Sequence, residues 1–143
     1  MKTGLVVLVL VFLASYFLGL LLEKDKQPLG FMHKSSCDLL NKNCHINNND
    51  IEYKIGFDGT PSPLTPFNIQ LTSLNPQPFN VEIEFEMEGM NMGNNVYSLK
   101  NSGDSWSADV LLPVCSLGRS DWLLRVRLIS DEKVHSTEFR FSQ

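Results

Sequence analysis

The chain opens on an unbroken apolar run and then changes character. Residues 4–22 read GLVVLVLVFLASYFLGLLL, with no charge among them. At about 1.5 Å per residue a helix of that length spans roughly 28 Å, enough to cross the hydrocarbon core of a bilayer. The run ends Leu20-Leu21-Leu22-Glu23, with neither a small-x-small cleavage site nor a lipoprotein cysteine, so it reads as an uncleaved signal anchor. Lys2 precedes it, while Glu23, Lys24, Asp25 and Lys26 follow, so the charge bias is slight and the short N-terminal tail favours N-in, C-out. The expectation is a single-pass protein of a bacterial inner membrane with its C-terminal domain in the periplasm. A cleaved signal peptide is the alternative and leaves the domain in the same compartment.

Residues 23–50 are polar, Asn-rich and without a clear period, and read as a linker lying over the domain. From Ile51 the pattern shifts to short runs of period two bounded by turn residues, which predicts strands over 51–57, 66–72, 79–87, 95–100, 105–112, 121–129 and 134–141. The clearest alternation is 79–87, where Val81, Ile83, Phe85 and Met87 share one face and Glu82, Glu84 and Glu86 the other. Ser102-Gly103-Asp104 and Ser130-Asp131-Glu132-Lys133 supply turns, and Pro61, Pro63 and Pro66 suit a crossing between sheets. Seven such strands predict an all-β fold: an immunoglobulin-like β-sandwich of about seven strands over 51–143, preceded by one N-terminal transmembrane helix over 1–22 and the linker over 23–50.

Composition agrees with this division. Alanine occurs only at Ala14 and Ala108, whereas Asn, Ser, Pro, Val, Ile and Phe are plentiful, a balance that favours strands and turns. Twelve Lys and Arg stand against sixteen Asp and Glu, a net charge of -4, so the basic footprint that a nucleic acid requires is missing. The three cysteines suit an oxidising compartment. Cys37 and Cys44 are close enough to close a small disulfide loop, leaving Cys115 as the odd thiol, but Cys44 with Cys115 is equally allowed by sequence.

The candidate chemistry is concentrated in Met87-Glu88-Gly89-Met90-Asn91-Met92-Gly93, which holds three of the five methionines. Thioethers are soft ligands that prefer Cu(I), and an M-x-M pair on extended backbone projects both sulfurs to one side. Packing is the competing role, because methionine readily fills irregular gaps at the end of a sandwich. A third donor must come from elsewhere: Cys115 in Leu112-Pro113-Val114-Cys115, otherwise a small buried hydrophobe or half a disulfide, or His45, otherwise a solvated loop histidine. His33 and His135 are weaker candidates, and His135 falls within a strand of mixed polarity with no acid or cysteine at ligand spacing. Glu82, Glu84, Glu86 and Glu88 form an acidic row that reads as a solvated face, able to greet a basic partner or to raise the cation concentration beside the methionines. Trp106 and Trp122 read as sheet-packing residues. The chain has no G-x-S-x-G elbow, H-E-x-x-H helix, Gly-rich phosphate loop or C-x-x-C pair, so no enzyme is expected.

An anchor followed by a β-domain with Met90-Asn91-Met92-Gly93, then Leu112-Pro113-Val114-Cys115 and a Trp122 strand, resembles small membrane-anchored periplasmic proteins of Gram-negative bacteria. More distantly, over 51–129, it is similar to FixH and YtkA-like domains. That resemblance implies copper handling in cytochrome oxidase assembly, with Cu(I) as cofactor, Met90, Met92 and Cys115 or His45 as ligands, and a respiratory oxidase or copper chaperone as partner. The alternative is a metal-free interaction module that docks a membrane protein complex through its acidic face.

Overall fold

The computed structural model describes residues 29–48, 51–75, 79–90, 92–93, 95–131 and 133–143, together with Leu13 and Ser15. The expected anchor therefore lies outside the described residues, apart from those two. Among the described residues no helix is long and apolar enough to cross a membrane.

The described residues form ten strands: β1 (Leu29–Ser35), β2 (Cys44–Asn48), β3 (Ile51–Asp58), β4 (Phe67–Ser73), β5 (Asn80–Glu86), β6 (Val96–Ser98), β7 (Lys100–Ser102), β8 (Ser105–Val110), β9 (Asp121–Ile129) and β10 (Lys133–Ser142). They form two five-stranded sheets, ordered β1-β10-β9-β5-β6 and β2-β3-β4-β8-β7. All neighbouring pairs run antiparallel except β1, which lies parallel to β10 with Leu29 opposite Lys133 and Ser35 opposite Phe139.

Period-two patterning sets which residues meet between the sheets. Tyr53, Ile55, Ile69, Leu71, Trp106 and Val110 of one sheet are buried, as are Val81, Ile83, Phe85, Leu124, Val126, Leu128 and Phe139 of the other. Aromatic rings bridge the gap edge to face: Phe67 with Phe85 at 6.0 Å and Phe57 with Phe141 at 5.5 Å between centroids. Phe79 stacks on Trp106 at 4.5 Å. Such pairs add orientation to the area that they bury.

Three expectations need correction. The sandwich has ten strands rather than seven, and it begins at Leu29, inside the segment read as a linker. There β1 and β2 occupy one edge of each sheet, and the Cys37–Cys44 disulfide, with 5.8 Å between Cα atoms, closes the turn that carries the chain from one sheet to the other. The Asp38 carboxylate accepts from the Leu40 amide at 3.0 Å and from the Asn41 amide group at 2.5 Å, and Leu39 is buried beneath. The expected strand over 95–100 is in fact two, with β6 in one sheet and β7 in the other, and the chain changes sheets at buried Leu99.

Register also settles the two ends of the sandwich. Leu29 and Lys133 lie at one end with Ile129 and Asn80. The ends of β5 and β10 and the start of β9 lie at the other, where Glu86 pairs with Leu123 and Ser142 with Asp121. The loops leaving β5 and entering β9 therefore meet at the end away from Leu29.

Candidate metal site at the far end of the sandwich

Leaving β5, the chain reverses through Met87-Glu88-Gly89-Met90. The Met90 amide donates to the Met87 carbonyl at 3.1 Å. Gly89 turns at φ +74°, the left-handed region that a Cβ would penalise. Met87 plugs the core, while Met90 and Met92 are half-buried and packed against it.

The second loop, between β8 and β9, is held down at both ends. At its start, the Leu111 amide donates to the Tyr97 hydroxyl at 3.3 Å and that hydroxyl donates to the Leu111 carbonyl at 2.9 Å. Near its finish, Gly118 donates to the Cys115 carbonyl at 3.1 Å. Cys115 is a free thiol, buried at 9 % exposure. Its Sγ lies 3.3 Å from the Met90 Sδ, with the thiol donating. Two residues 25 positions apart, each singled out as a candidate ligand, are thus in contact.

Arg119 ties the loops together. Its Nε donates to Asp121 Oδ1 at 2.8 Å and Nη2 to Asp121 Oδ2, a two-point fork. The remaining arm, Nη1, donates to the Glu88 carbonyl at 3.0 Å, on the methionine loop. Hydrogen bonding to Asp121 raises the Arg119 pKa above its ordinary value against the opposing effect of desolvation, with smaller attraction from Asp121, Cys115 and Glu88. Neither Arg119 nor Tyr97 stood out in the sequence. Nothing in the local spacing marked the Asp121 fork or the Glu88 carbonyl as contacts of Arg119.

The remaining candidates fall elsewhere. His45 lies on edge strand β2, opposite Lys54, with Nε2 2.9 Å from Glu52 Oε1, and is not brought to the sulfurs. His33 lies on β1 opposite Thr137, and His135 is buried within β10. The acidic row is not an open negative face. Arg125 lies within 3.5 Å of Glu84 and 3.2 Å of both Glu86 and Glu138, while Arg127 lies 3.5 Å from Glu82 and Glu84. Glu88 pairs with Arg140 at 2.9 Å. Arginines on β9 and β10 thus offset the charge of a row that was expected to be a solvated face.

The donor set can be tested against a metal. Among the described residues no group of three His, Cys, Asp or Glu side chains converges, so the sulfur pair is the candidate on chemical grounds. A thiolate with one or two thioethers suits a soft monovalent cation such as Cu(I). With metal–sulfur bonds of roughly 2.3 Å, ligating sulfurs stand about 4.0 Å apart in a trigonal site and about 4.6 Å in a linear one. The 3.3 Å pair must therefore part by about 1 Å to admit a metal. No protein family model, curated protein or solved structure matches this chain.

Proposed function

We propose that this protein is a membrane-anchored periplasmic Cu(I)-binding accessory, with Met90 and Cys115 as its first two ligands and Met92 as the third. The observation that carries the reading is the 3.3 Å approach of the Cys115 and Met90 sulfurs. Thiol and thioether sulfurs side by side are the kind of soft donors that Cu(I) prefers. A half-buried, shallow site of few donors suits a carrier that must release its cargo.

The topology supports a division of labour between the two ends. With residues 4–22 as the anchor, the chain enters the domain at Leu29, and the sulfurs lie at the opposite end, beyond the nine residues of β9. At about 3.3 Å per residue this is roughly 30 Å of strand, so cargo is exchanged away from the bilayer surface. A copper chaperone, or the periplasmic part of a respiratory oxidase, is the partner class that fits. The finer fold assignment is immunoglobulin-like. The order β3-β4-β8-β7 against β10-β9-β5-β6 corresponds to strands ABED against GFCC′, with β1 and β2 added at the edges.

The test is an anaerobic Cu(I) titration of the full chain in detergent against a competing chromogenic chelator, without thiol reductants so that the Cys37–Cys44 bridge stays closed. One Cu(I) per chain is expected, lost in Cys115→Ala and in the Met90→Leu, Met92→Leu double variant, and retained in His45→Ala. Failure of the unaltered protein to compete for Cu(I), or binding that survives both sulfur variants, overturns the reading in favour of a metal-free docking module.

A further inference from the structure

The proposed site has a cation built in beside it, and this is unusual company for a metal. Arg119 is the residue in question, and its three contacts separate into two roles. The fork to Asp121 fixes the guanidinium plane at the entry to β9, and the arm to the Glu88 carbonyl fixes the methionine loop to the cysteine loop. These bonds hold together the two loops that carry the Met90 and Cys115 sulfurs. The second role is electrostatic. A Cys115 thiolate with Cu(I) or Ag(I) is neutral once the thiol proton has left to solvent, whereas the same ligands around a divalent ion keep a charge of +1. A guanidinium close by repels the second complex and not the first.

We propose that Arg119 positions the Met90–Cys115 pair and selects a monovalent soft cation over a divalent one. The proposal rests on the copper reading above and deepens it. Arg119 does not ligate the metal. It acts through the loops it joins and through the charge that its Nη1 arm carries to the Glu88 carbonyl on the methionine loop.

The probes are Ag(I), a redox-inert monovalent ion, and Cd(II), a soft divalent one, each titrated by competition into the full chain in detergent with the disulfide intact. Arg119→Gln should weaken Ag(I) binding and should lower the preference for Ag(I) over Cd(II) on the order of fivefold, the size expected of one nearby charge acting through partly screening solvent. That loss of preference should shrink as salt is raised, because exposed charges are screened. Arg119→Lys keeps the charge without the planar fork, so it should weaken both ions yet preserve their ratio. A ratio unchanged in Arg119→Gln at low and high salt, or a Lys variant whose ratio falls as far as that of Gln, overturns the selection. Unchanged affinity in both variants overturns the positioning. In either case Ag(I) binding by the unaltered protein leaves the copper reading standing, whereas its absence overturns both.

Discussion

Arg125 Nη2 lies 3.2 Å from the Glu138 carboxylate, and this pair organises the charge on the outer face of the β1-β10-β9-β5-β6 sheet. Glu138 is buried at 8 % exposure, and it has Arg125 directly opposite in the β9–β10 register. On its other side Arg125 faces Glu84 of β5. Replacing Arg125 with Leu removes the cation paired with Glu138 and leaves Glu84 and Glu86 repelling that carboxylate, with Lys34 opposite Glu138 on β1. Breaking a partly buried pair from one side costs more than the pair contributes, here about 2 kcal/mol. Chemical denaturation followed by Trp106 and Trp122 fluorescence should show that loss, and adding Glu138→Gln should recover part of it. Stability unchanged in Arg125→Leu would mean that solvent already satisfies Glu138.

The Cys37–Cys44 bridge closes a short turn whose Leu39 is buried, and its chief effect falls on the unfolded chain. For a loop of this length the loss of entropy in the unfolded chain is worth about 2 kcal/mol. A Cys37→Ala, Cys44→Ala variant should be less stable by that amount while keeping metal affinity, since the turn contributes no ligand. Alkylation with mass readout checks the pairing directly. Denatured, unreduced protein should take up one label, at Cys115, and reduced protein three. Three labels without reduction would show an open bridge.

Legibility in the sequence followed the strength of alternation. β9, with Trp122, Leu124, Val126 and Leu128 buried and the residues between them more open, has the bounds its pattern predicts, 121–129. β10 and β3 differ from expectation by a residue or two at their ends. β2 was missed although Cys44 and Ile46 are buried and His45 and Asn47 exposed, because two periods of alternation in an Asn-rich stretch do not stand out from a loop. β1 was missed because it is an edge strand held by parallel pairing to residues of β10 that lie 104 positions later, and Met32, His33 and Lys34 are all exposed. At the site, the residue types named Met90 and Cys115, but their contact depends on loops from different strands, which no local spacing encodes. The acidic row was legible as a row. Its neutralisation was not, because Arg125 and Arg127 come from β9, some forty residues away.

Tyr53 makes stability depend on alkaline pH. It is 1 % exposed on β3, and burial pushes its hydroxyl pKa well above the ordinary value of 10.0, with the Thr137 side chain opposing that rise. The folded state therefore favours the neutral phenol. The stability this contributes is complete below the unfolded pKa near 10.0 and is lost as pH rises beyond it, because the unfolded chain ionises first. Denaturation midpoints should fall above about pH 10 in the unaltered protein and fall less in Tyr53→Phe, with the two proteins within about 1 kcal/mol at neutral pH. Parallel pH profiles would mean that Tyr53 reaches solvent in the folded state.

Gly89 offers the sharpest separation of fold from site. Its φ of +74° is left-handed, and a Cβ placed there meets no atom within 4 Å. Alanine at this position therefore meets backbone strain and no steric clash, at a cost of about 1 kcal/mol. The chain can relieve that strain by rotating the turn, and the turn is what presents the Met90 sulfur to Cys115. Gly89→Ala should thus lower thermal stability slightly and Ag(I) affinity severalfold, while far-ultraviolet circular dichroism stays that of the unaltered protein. Gly103→Ala provides the control, because Gly103 has φ +72° and open space in the β7–β8 turn, in the other sheet. It should show the same loss of stability with metal affinity unchanged. Equal effects of the two substitutions on affinity would mean that the geometry of the methionine turn does not govern binding.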